Sequence, residues 1–409
     1  MGINFSWFQK NPTHGTSKRV FLDYASATPV SKRVSRVLET YQGYFHNPAA
    51  IYTEGVKAKE IIKDARVQIA KIVSAQPNEI YFTSGGTESA NLAIQGVIKA
   101  LDRTVFPRPH IIVSAFEHAA VLETTRALEA DGVLITYVLP NDDGIIDPKE
   151  ISKLLTPDTV LVCVMYVNNE IGTIQPLREI SKKIKEMRKS VSGRDQHSDY
   201  PYFYTDACQA PLYLPLAINE LGVDMVTLDG IKMYGPRASG ILIAKDAVRF
   251  APLMLGGAHQ RGKRPGTESV SQVVGIKEAL IEATELRVSE SERIRKLQTY
   301  FIEKIARHYG EKASINGSVK EGELIPNNVN VCIRNIDSEF VVLQLDAKGI
   351  CVSSASSCST LSDAAGSYVI ESLGEAKRRC AESSIRFSFG RETTKKDIDI
   401  ALETLFKIV

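Results

Sequence analysis

Two ionisable residues, Asp206 and Lys232, follow predicted strands at positions that do not suit a solvated surface charge. Asp206 ends the strand-like run YFYTDAC with Gln209 just beyond it, and Lys232 lies between the next strand and a Tyr-Gly-Pro turn. An aspartate at the mouth of a parallel sheet is costly to bury unless it meets a cation. One interpretation is a structural ion pair between the two residues. The other is a pyridoxal phosphate site, in which the lysine forms the Schiff base and the aspartate keeps the pyridinium nitrogen protonated.

The segment TSGGTES, residues 83–89, could bind the phosphate of such a cofactor. Here a predicted strand turns into a helix through two glycines, and Thr87 adds a hydroxyl group. Consecutive backbone N–H groups at a helix N-terminus suit an anion. The motif is weak alone, because most Gly-Gly turns into helices bind no ligand. The absence of GxGxxG and GxxxxGK[ST] motifs argues against dinucleotide and P-loop sites.

Cys358 differs in its setting from the other cysteines, because it lies in the small-residue run VSSASSCSTLSDAAGSY, residues 352–368. A thiol in such a loop is accessible and can titrate and react, although an inert loop cysteine is an equally open interpretation. The spacing of the six cysteines shows no CxxC pair and no zinc pattern, so no metal site is expected and all six should be free thiols in a reducing compartment. The other five fall in or beside apolar strands, at a strand end or in a helix tail: Cys163, Cys208, Cys332, Cys351 and Cys380.

The composition favours a globular protein that acts on a small molecule. The chain has 409 residues, of which 44% are hydrophobic and 24% charged, and no run of about 18 apolar residues occurs. These values argue against a disulfide-stapled module, a disordered chain and a membrane-spanning protein. A net charge of +2 gives no reason to expect direct nucleic-acid or lipid-surface binding. The first twenty residues lack the apolar segment of a signal peptide, so a cytoplasmic location is expected.

Strand-like runs alternate with helical patterns from about residue 80, which is typical of βαβ units. In the segment 176–189, Leu177, Ile180 and Ile184 recur at helical spacing and would face the sheet. The pattern therefore predicts an α/β fold with one large, mainly parallel, seven-stranded sheet. The runs read as its strands are residues 79–84, 110–116, 134–140, 159–167, 202–208, 223–228 and 240–245.

A change of pattern after Gly266 predicts a second, smaller α+β domain. Residues 269–308 read as mostly helix and are followed by a strand, a helix, two further strands and a last helix. We expect an N-terminal extension at 1–20, a large cofactor-binding domain at 21–268, and a small domain at 269–409 that carries the Cys358 loop. The linking helix would be 269–308, and the N-terminal segment could complete the small domain.

The order of these motifs along nearly the whole chain beyond residue 20 resembles a cysteine desulfurase of the NifS/IscS type. That type lies within the class V aminotransferase family of fold-type I pyridoxal phosphate enzymes. Many ordered matches are far more specific than any single motif. The matching segments are FLDYASATPV (21–30), FTSGGTESANLAIQG (82–96), FEHAAVLET (116–124), VNNEIGTIQP (167–176), TDACQAP (205–211), the Lys232 segment, GGAHQRGKRPGT (256–267), VSSASSC (352–358) and SSIRFSFGRETT (383–394).

The resemblance implies roles for residues around the cofactor ring. Lys232 would be the Schiff-base lysine and Asp206 the partner of the pyridinium nitrogen. Gln209 would donate to the phenolate oxygen. His118 would stack on the ring and act as acid or base, although a histidine after a strand is more often structural. At the phosphate end of the cofactor, Gly86 and Thr87 would bind the anion.

The resemblance also implies a subunit arrangement, because Thr267 would reach the phosphate held by the other subunit. A homodimer with shared sites follows, in which Gly86 and Thr87 of one chain and Thr267 of its partner hold one phosphate. Closed two-fold pairing is the expected symmetry for such a dimer.

For the substrate, the resemblance implies L-cysteine. Asn169 and Arg386 would hold the substrate carboxylate, Arg386 through two parallel charged hydrogen bonds. Cys358 would accept the substrate's sulfur as a persulfide and release L-alanine. A protein sulfur acceptor, either a scaffold for iron-sulfur cluster assembly or another sulfur carrier, would then take the sulfur.

Two other functions stay open at this point. The same lysine and aspartate could serve another class V aminotransferase or lyase, against which Cys358 argues. A degenerate relative without catalysis could act as a binding partner, a hypothesis motivated by Asp229 and Ile231. Those two positions usually hold serine or threonine and histidine in the family. Because Asp229 brings a negative charge and Ile231 offers no side-chain donor, we expect weaker cofactor binding unless Asp229 turns away or pairs with a base.

Overall fold

The strand-like runs between residues 80 and 244 pair into one sheet in a computed structural model, which describes residues 19–191, 199–354 and 366–409. Across this sheet the strand order is β2-β8-β7-β6-β5-β3-β4. Only β8 runs against its neighbours β2 and β7, so the predicted seven-stranded, mainly parallel sheet is confirmed. The strands of the described residues are β1 (Val20–Phe21), β2 (Ile80–Thr83), β3 (His110–Ser114), β4 (Leu134–Val138), β5 (Thr159–Cys163), β6 (Tyr202–Asp206), β7 (Met225–Asp229), β8 (Gly240–Ala244), β9 (Ala313–Ile315), β10 (Asn328–Ile333), β11 (Ile350–Cys351), β12 (Ser353–Ser354) and β13 (Ser384–Ser388).

Helices cover both faces of the large sheet, which explains why its central strands are buried along their whole length. The stripe of Leu177, Ile180 and Ile184 on α6 is buried against the sheet, as its spacing predicts. The helices are α1 (Lys32–Tyr41), α2 (Thr53–Val73), α3 (Gly86–Ala100), α4 (Ala119–Ala130), α5 (Pro148–Leu154), α6 (Leu177–Val191), α7 (Ile218–Leu221), α8 (Val270–Tyr309), α9 (Ser338–Ala347), α10 (Tyr368–Glu371), α11 (Glu375–Arg378) and α12 (Lys395–Ile408).

The long helix α8 joins two hydrophobic cores. Its N-terminal half packs with α1 and α2 and contributes Val274 and Leu280 to the core under the large sheet. Its C-terminal half contributes Phe301 and Ile305 to a separate core beneath a second sheet. At 40 residues and about 1.5 Å per residue, the helix spans about 60 Å. None of the helices within the described ranges is long and apolar enough to cross a membrane.

The second sheet is antiparallel, in the order β12-β13-β10-β9. Beside it, β1 pairs in parallel with β11, so Val20 and Phe21 from the start of the described chain align with Ile350 and Cys351. The chain then passes from this pair directly into the edge of the large sheet. This crossing segment contributes to the site described below.

The expectation that all six cysteines are free thiols is wrong for one pair. Cys332 and Cys380 form a disulfide with their Cα atoms 5.3 Å apart. Cys332 lies in β10, opposite Ser384 of β13, and the turn that precedes β13 returns Cys380 to the same place. The two residues are 48 positions apart in the chain, so only the pairing of β10 with β13 brings them together. The remaining cysteines of the described residues, at 163, 208 and 351, are free.

Candidate active site

The predicted site residues converge on one cavity of about 230 Å³ at the carboxyl edge of the large sheet. Asp206 is the last residue of β6 and Asp229 the last residue of β7, while His118 follows β3. Open α/β sheets place their ligands at this edge. The predicted residues that line the cavity are Gly86, Thr87, His118, Asn169, Asp206, Gln209, Lys232 and Arg386.

Of the predicted residues that the structure describes, Thr267 is not part of this cavity lining. Thr267 is exposed to solvent on the same chain, outside the lining. Its segment is nevertheless attached beside the cavity, because Nε of Arg264 donates to Glu88 in the first turn of α3 at 2.7 Å. Cys358 lies outside the described residues.

Asp206 and His118 form the inner wall of the cavity. Asp206 is 8% exposed, and its Oδ1 accepts a hydrogen bond from the backbone N–H of Cys208 at 2.9 Å. The ring of His118 caps α4, because Nδ1 accepts from the backbone N–H of Ala120 at 3.1 Å. In a neutral ring the proton is then on Nε2. Burial lowers the pKa of His118, with Asp206 opposing the shift and Lys232 adding to it, so the neutral ring is favoured.

Lys232 and Gln209 contact the same backbone turn near the start of the chain. Nζ of Lys232 donates to the carbonyl oxygens of Ala25 at 3.0 Å and Ser26 at 2.6 Å. Nε2 of Gln209 donates to the Ala25 carbonyl at 2.9 Å. Lys232 itself lies in a short 3-10 turn, Gly230–Lys232, directly after β7. The turn at Ala25 and Ser26 therefore orients both side chains across the cavity.

Arg386 in β13 reaches the cavity from the small-domain side. Its Nη1 donates to the Asn169 carbonyl at 2.9 Å, and its Nη2 donates to Asp23 at 2.8 Å and to Ser26 Oγ at 2.7 Å. Arg386 is 5% exposed, and its Nε has no hydrogen-bond partner. Oδ1 of Asn169 is likewise buried without a partner. Unsatisfied buried polar atoms facing a cavity indicate a polar ligand there.

The N-terminus of α3 is the predicted phosphate position, and here Asp229 fills it. The Gly86 N–H donates to Oδ2 of Asp229 at 2.8 Å, and the Ile231 N–H donates to Oδ1 at 3.0 Å. Asp229 thus neither turns away nor pairs with a base, the two exceptions considered from the sequence. A Cβ at Gly86 would stand 3.0 Å from Sγ of Cys208, so a larger residue would require that side chain to shift. Thr87 follows at the open side of the cavity.

Two buried carboxyl groups flank the cavity directly beside predicted site residues. Burial raises the pKa of Glu117 to about 8, against the opposing hydrogen bonds from Ser114 Oγ and the Met165 N–H. Burial also raises the pKa of Glu170 to about 7, although Ser367 Oγ donates to it at 2.6 Å. Near pH 7, Glu117 is therefore mostly protonated and Glu170 is about half protonated.

The donor set fits pyridoxal phosphate. Asp206 can hold a protonated ring nitrogen, Gln209 can donate to the phenolate oxygen, and His118 can stack on the ring. Lys232 supplies a primary amine for the aldehyde carbon. The one disagreement is at the phosphate end, where a carboxylate of the chain already accepts the backbone donor that the phosphate would use.

The sequence analysis missed the contribution of residues 23–26. Asp23, Ala25 and Ser26 contact the polar ends of Arg386, Gln209 and Lys232. Their segment, FLDYASATPV, was part of the resemblance but carried no assigned role. Cys208 and Met165 also line the cavity without having been predicted. Cys208 could have been predicted to line the cavity, because it lies in the sequence between the predicted site residues Asp206 and Gln209.

Comparisons with known proteins agree with this geometry. Residues 20–401 match the aminotransferase class-V family. The cysteine desulfurase IscS of Dictyoglomus turgidum is 37% identical over 393 residues, covering 96% of this chain and 95% of the relative. A solved NifS-like protein superimposes with a TM-score of 0.85 at 29% identity, covering 96% of this chain and 99% of the other. A structure described as SspA in complex with cysteine gives a TM-score of 0.74 at 30% identity, covering 91% and 99%.

Proposed function

This chain belongs to the class-V aminotransferases and is a pyridoxal-phosphate-dependent cysteine desulfurase, and from that premise we propose how its residues share the reaction. The observation that supports the assignment of roles is the meeting of Lys232, Asp206, His118 and Arg386 in one cavity. These residues come from separate segments of the chain. Their convergence at the carboxyl edge of the sheet is what a shared catalytic role requires.

The reaction converts L-cysteine and an enzyme thiol into L-alanine and an enzyme persulfide. The C–S bond of the substrate and the S–H bond of the enzyme thiol break, while an S–S bond on the enzyme and a C–H bond at Cβ of the product form, so no outside oxidant is needed. The chemistry that pyridoxal phosphate supplies when bound is an electron sink for the substrate's Cα. The remaining work is done by side chains of this protein.

Lys232 and His118 move the protons. The amine of Lys232, held by the carbonyl oxygens of Ala25 and Ser26, takes the proton from Cα of the substrate. Nε2 of His118 carries the proton of the neutral ring toward the cavity, since Nδ1 is occupied by the Ala120 N–H. Burial lowers the pKa of His118 and favours the neutral ring, so Nε2–H donates toward the cavity, and the ring can take up a proton only at Nδ1 after the contact with the Ala120 N–H opens.

Arg386 and Asn169 bind the substrate carboxylate. The free Nε–H of Arg386 is the donor that the chain leaves unused, and the amide of Asn169 stands beside it in the lining. Asp23 accepts from Nη2 of Arg386 and fixes the orientation of the guanidinium group. A charged hydrogen bond of this kind contributes about 1.5 to 3 kcal/mol to binding.

Cys358 accepts the sulfur and passes it to a protein acceptor. Its thiolate attacks the sulfur of the substrate, and the outer sulfur of the persulfide is then transferred to the acceptor. The acceptor is predicted from the sequence to be an iron-sulfur scaffold or another sulfur carrier. A cytoplasmic location is likewise a prediction from the sequence. The presence of Cys358 favours this function over that of another class V aminotransferase or lyase.

The working unit is a homodimer. Exposed apolar side chains on one face support this: Phe45 is 86% exposed, Ile51 97% and Leu255 91%. The two segments that carry them are neighbours, because Pro48 and His259 line the same surface cavity. Large exposed apolar groups clustered in this way indicate a protein interface. Thr267 lies at the end of the second segment, and we propose that it reaches the partner's phosphate position.

The direct test is incubation of the protein with L-cysteine and a reductant, with alanine and sulfide measured together. We expect equal amounts of both products, and no sulfide from the Lys232→Ala variant. Alanine without sulfide, or turnover of another amino acid in preference to cysteine, would favour the alternative class V enzyme. A protein that binds no pyridoxal phosphate and gives neither product would be the non-catalytic relative.

A further inference from the structure

The carboxylate of Asp229 holds the position that a cofactor phosphate would take. Its Oδ2 accepts from the N–H of Gly86, the first residue of α3, at 2.8 Å. Its Oδ1 accepts from the Ile231 N–H at 3.0 Å, which prevents the carboxylate group from rotating freely. Asp229 also lines the cavity together with Thr87 and Lys232. The carboxylate therefore lies inside the site, against the segment that is expected to bind the phosphate.

This position is electrostatically favourable for any anion. The fifteen-residue helix α3 directs the N–H of its first residue, Gly86, and the positive end of its dipole at the carboxylate. A charged acceptor on a backbone N–H gives one of the stronger hydrogen bonds in proteins. A phosphate entering the same place would have to displace Asp229 from Gly86, and it would then lie beside a second negative charge.

We infer that Asp229 is an internal substitute for the cofactor's phosphate: it caps α3 in the cofactor-free protein and leaves Gly86 when the phosphate binds. The inference rests on the proposed pyridoxal phosphate site. It goes beyond the expectation of weaker cofactor binding, because it assigns the Asp229 carboxylate opposite effects on the cofactor-free protein and on the phosphate-bound protein. Asp229 stabilises the cofactor-free state and competes with the phosphate, but not with the ring, for the cavity.

One consequence concerns the discrimination between phosphorylated and unphosphorylated cofactor. Most of what the phosphate gains at the helix N-terminus is offset by the loss of the Asp229 contact. Pyridoxal, which lacks the phosphate, leaves that contact in place and loses nothing. The ratio of the affinities for pyridoxal phosphate and pyridoxal should therefore be unusually small in this protein and should grow when Asp229 is replaced.

The first experiment titrates the full-length protein, freed of cofactor by dialysis against a competing amine, with pyridoxal phosphate and with pyridoxal. Absorbance of the bound chromophore reports both affinities. We expect Asp229→Ser to bind pyridoxal phosphate about tenfold more tightly than wild type, and pyridoxal within about twofold of wild type. Asp229→Asn keeps the shape of the side chain without its charge, so its affinity for pyridoxal phosphate should lie between those of wild type and Asp229→Ser. Ile231→His, which adds a donor but keeps the carboxylate, should gain less than Asp229→Ser.

The second measurement is the melting temperature with and without cofactor. Without cofactor, Asp229→Asn should melt below wild type, because the helix loses a charged cap. With saturating pyridoxal phosphate, Asp229→Asn should have a higher melting temperature than wild type. If Asp229 had a purely structural role, its replacement would lower the melting temperature both with and without cofactor. Equal pyridoxal phosphate affinity in wild type and variants, or a parallel gain for pyridoxal, would overturn the inference while leaving the proposed function intact. Failure of every protein to bind either ligand would overturn the proposed function and the inference with it.

Discussion

Asn168 and Asn169 are adjacent residues with different contacts. Asn168 is fully buried, donates to the Phe116 carbonyl at 2.9 Å and accepts from the Glu170 N–H at 2.8 Å, so its side chain holds the loop together. The side-chain oxygen of Asn169 has no partner. We therefore expect Asn169→Ala to raise KM for L-cysteine about tenfold, the equivalent of about 1.4 kcal/mol, with an unchanged cofactor spectrum.

The neighbouring residue provides the control for this prediction. Asn168→Ala leaves buried backbone groups unpaired and should lower the melting temperature clearly, by an amount that corresponds to about 1 to 3 kcal/mol. Steady-state kinetics and thermal melts on both variants separate the two roles. An unchanged KM in Asn169→Ala would remove Asn169 from the substrate site.

Cys358 should be required after substrate binding and not before it. Cys358→Ala leaves unchanged the cavity-lining groups of the described residues, so the variant should remain coloured and bind L-cysteine, yet lose sulfide release. The matched control is Cys351→Ala, which removes a partly exposed thiol of β11 that forms no disulfide. Sulfide release at the wild-type rate from Cys358→Ala, or its loss in Cys351→Ala, would contradict the assignment.

The sequence was sufficient to predict the residues at strand ends but not their contacts. Asp206 and Lys232 could be placed from the strand pattern alone, because the carboxyl ends of parallel strands share an edge. The contact of Arg386 with Asp23 joins residues 363 positions apart, and no local pattern reports it. The charge of Asp229 was visible in the sequence, whereas its contact with Gly86 required the fold.

At the scale of elements, the connection between β3 and α4 contains a buried acid, Glu117, whose titration should be measurable. Its ordinary pKa is 4.5, and burial raises it to about 8 in the folded protein. Between these values the folded state holds a proton that the unfolded state has released. Stability therefore falls as pH rises through this window. Glu117→Gln cannot ionise, so it should remove this part of the decline.

Urea unfolding at about pH 5 and about pH 8 tests this prediction. We expect wild type to lose at least about 1.4 kcal/mol more than Glu117→Gln over this range, the equivalent of one pKa unit. Glu123→Gln, which changes an exposed acid on α4 paired with Arg126, should follow wild type. Parallel curves for wild type and Glu117→Gln would show that Glu117 titrates normally.

Element types were predicted well because each strand of the large sheet is a continuous apolar run between turn signals. Some strands were predicted too long, because the apolar run continues beyond the last residue that pairs with a neighbouring strand. The run 110–116, for example, pairs only as far as Ser114, since the chain then turns toward the His118 cap of α4. The disulfide between Cys332 and Cys380 was missed because it depends on the pairing of β10 with β13.

At the scale of the whole molecule, the exposed apolar face predicts that activity depends on dimer formation. Leu255→Asp places a charge on a side chain that is 91% exposed in the single chain. We expect this variant to sediment as a monomer and to lose most of its activity, because Thr267 of a partner no longer reaches the site. Burying an unpaired charge in an interface costs several kcal/mol.

Leu343→Asp is the matched control, since Leu343 is also exposed, at 67%, but lies on α9 in the C-terminal part of the chain. It should sediment and react like wild type. A fully active Leu255→Asp monomer would contradict the shared site. Loss of dimer in both variants would place the interface elsewhere.

The segment from Val20 to Thr28 connects the two sheets through the site. Leu22 N–H donates to Cys351 O and Ser388 N–H donates to Leu22 O, while Thr28 N–H donates to the Ile231 carbonyl beside Lys232. A chain shortened to begin at residue 29 would keep every strand of the large sheet. It would nevertheless lose the groups that orient Arg386, Gln209 and Lys232. The crossing segment thus couples the buried core of the small domain, through Val20 and Leu22, to the orientation of the catalytic lysine, and domain boundaries chosen by membership of the large sheet alone would leave out both contributions.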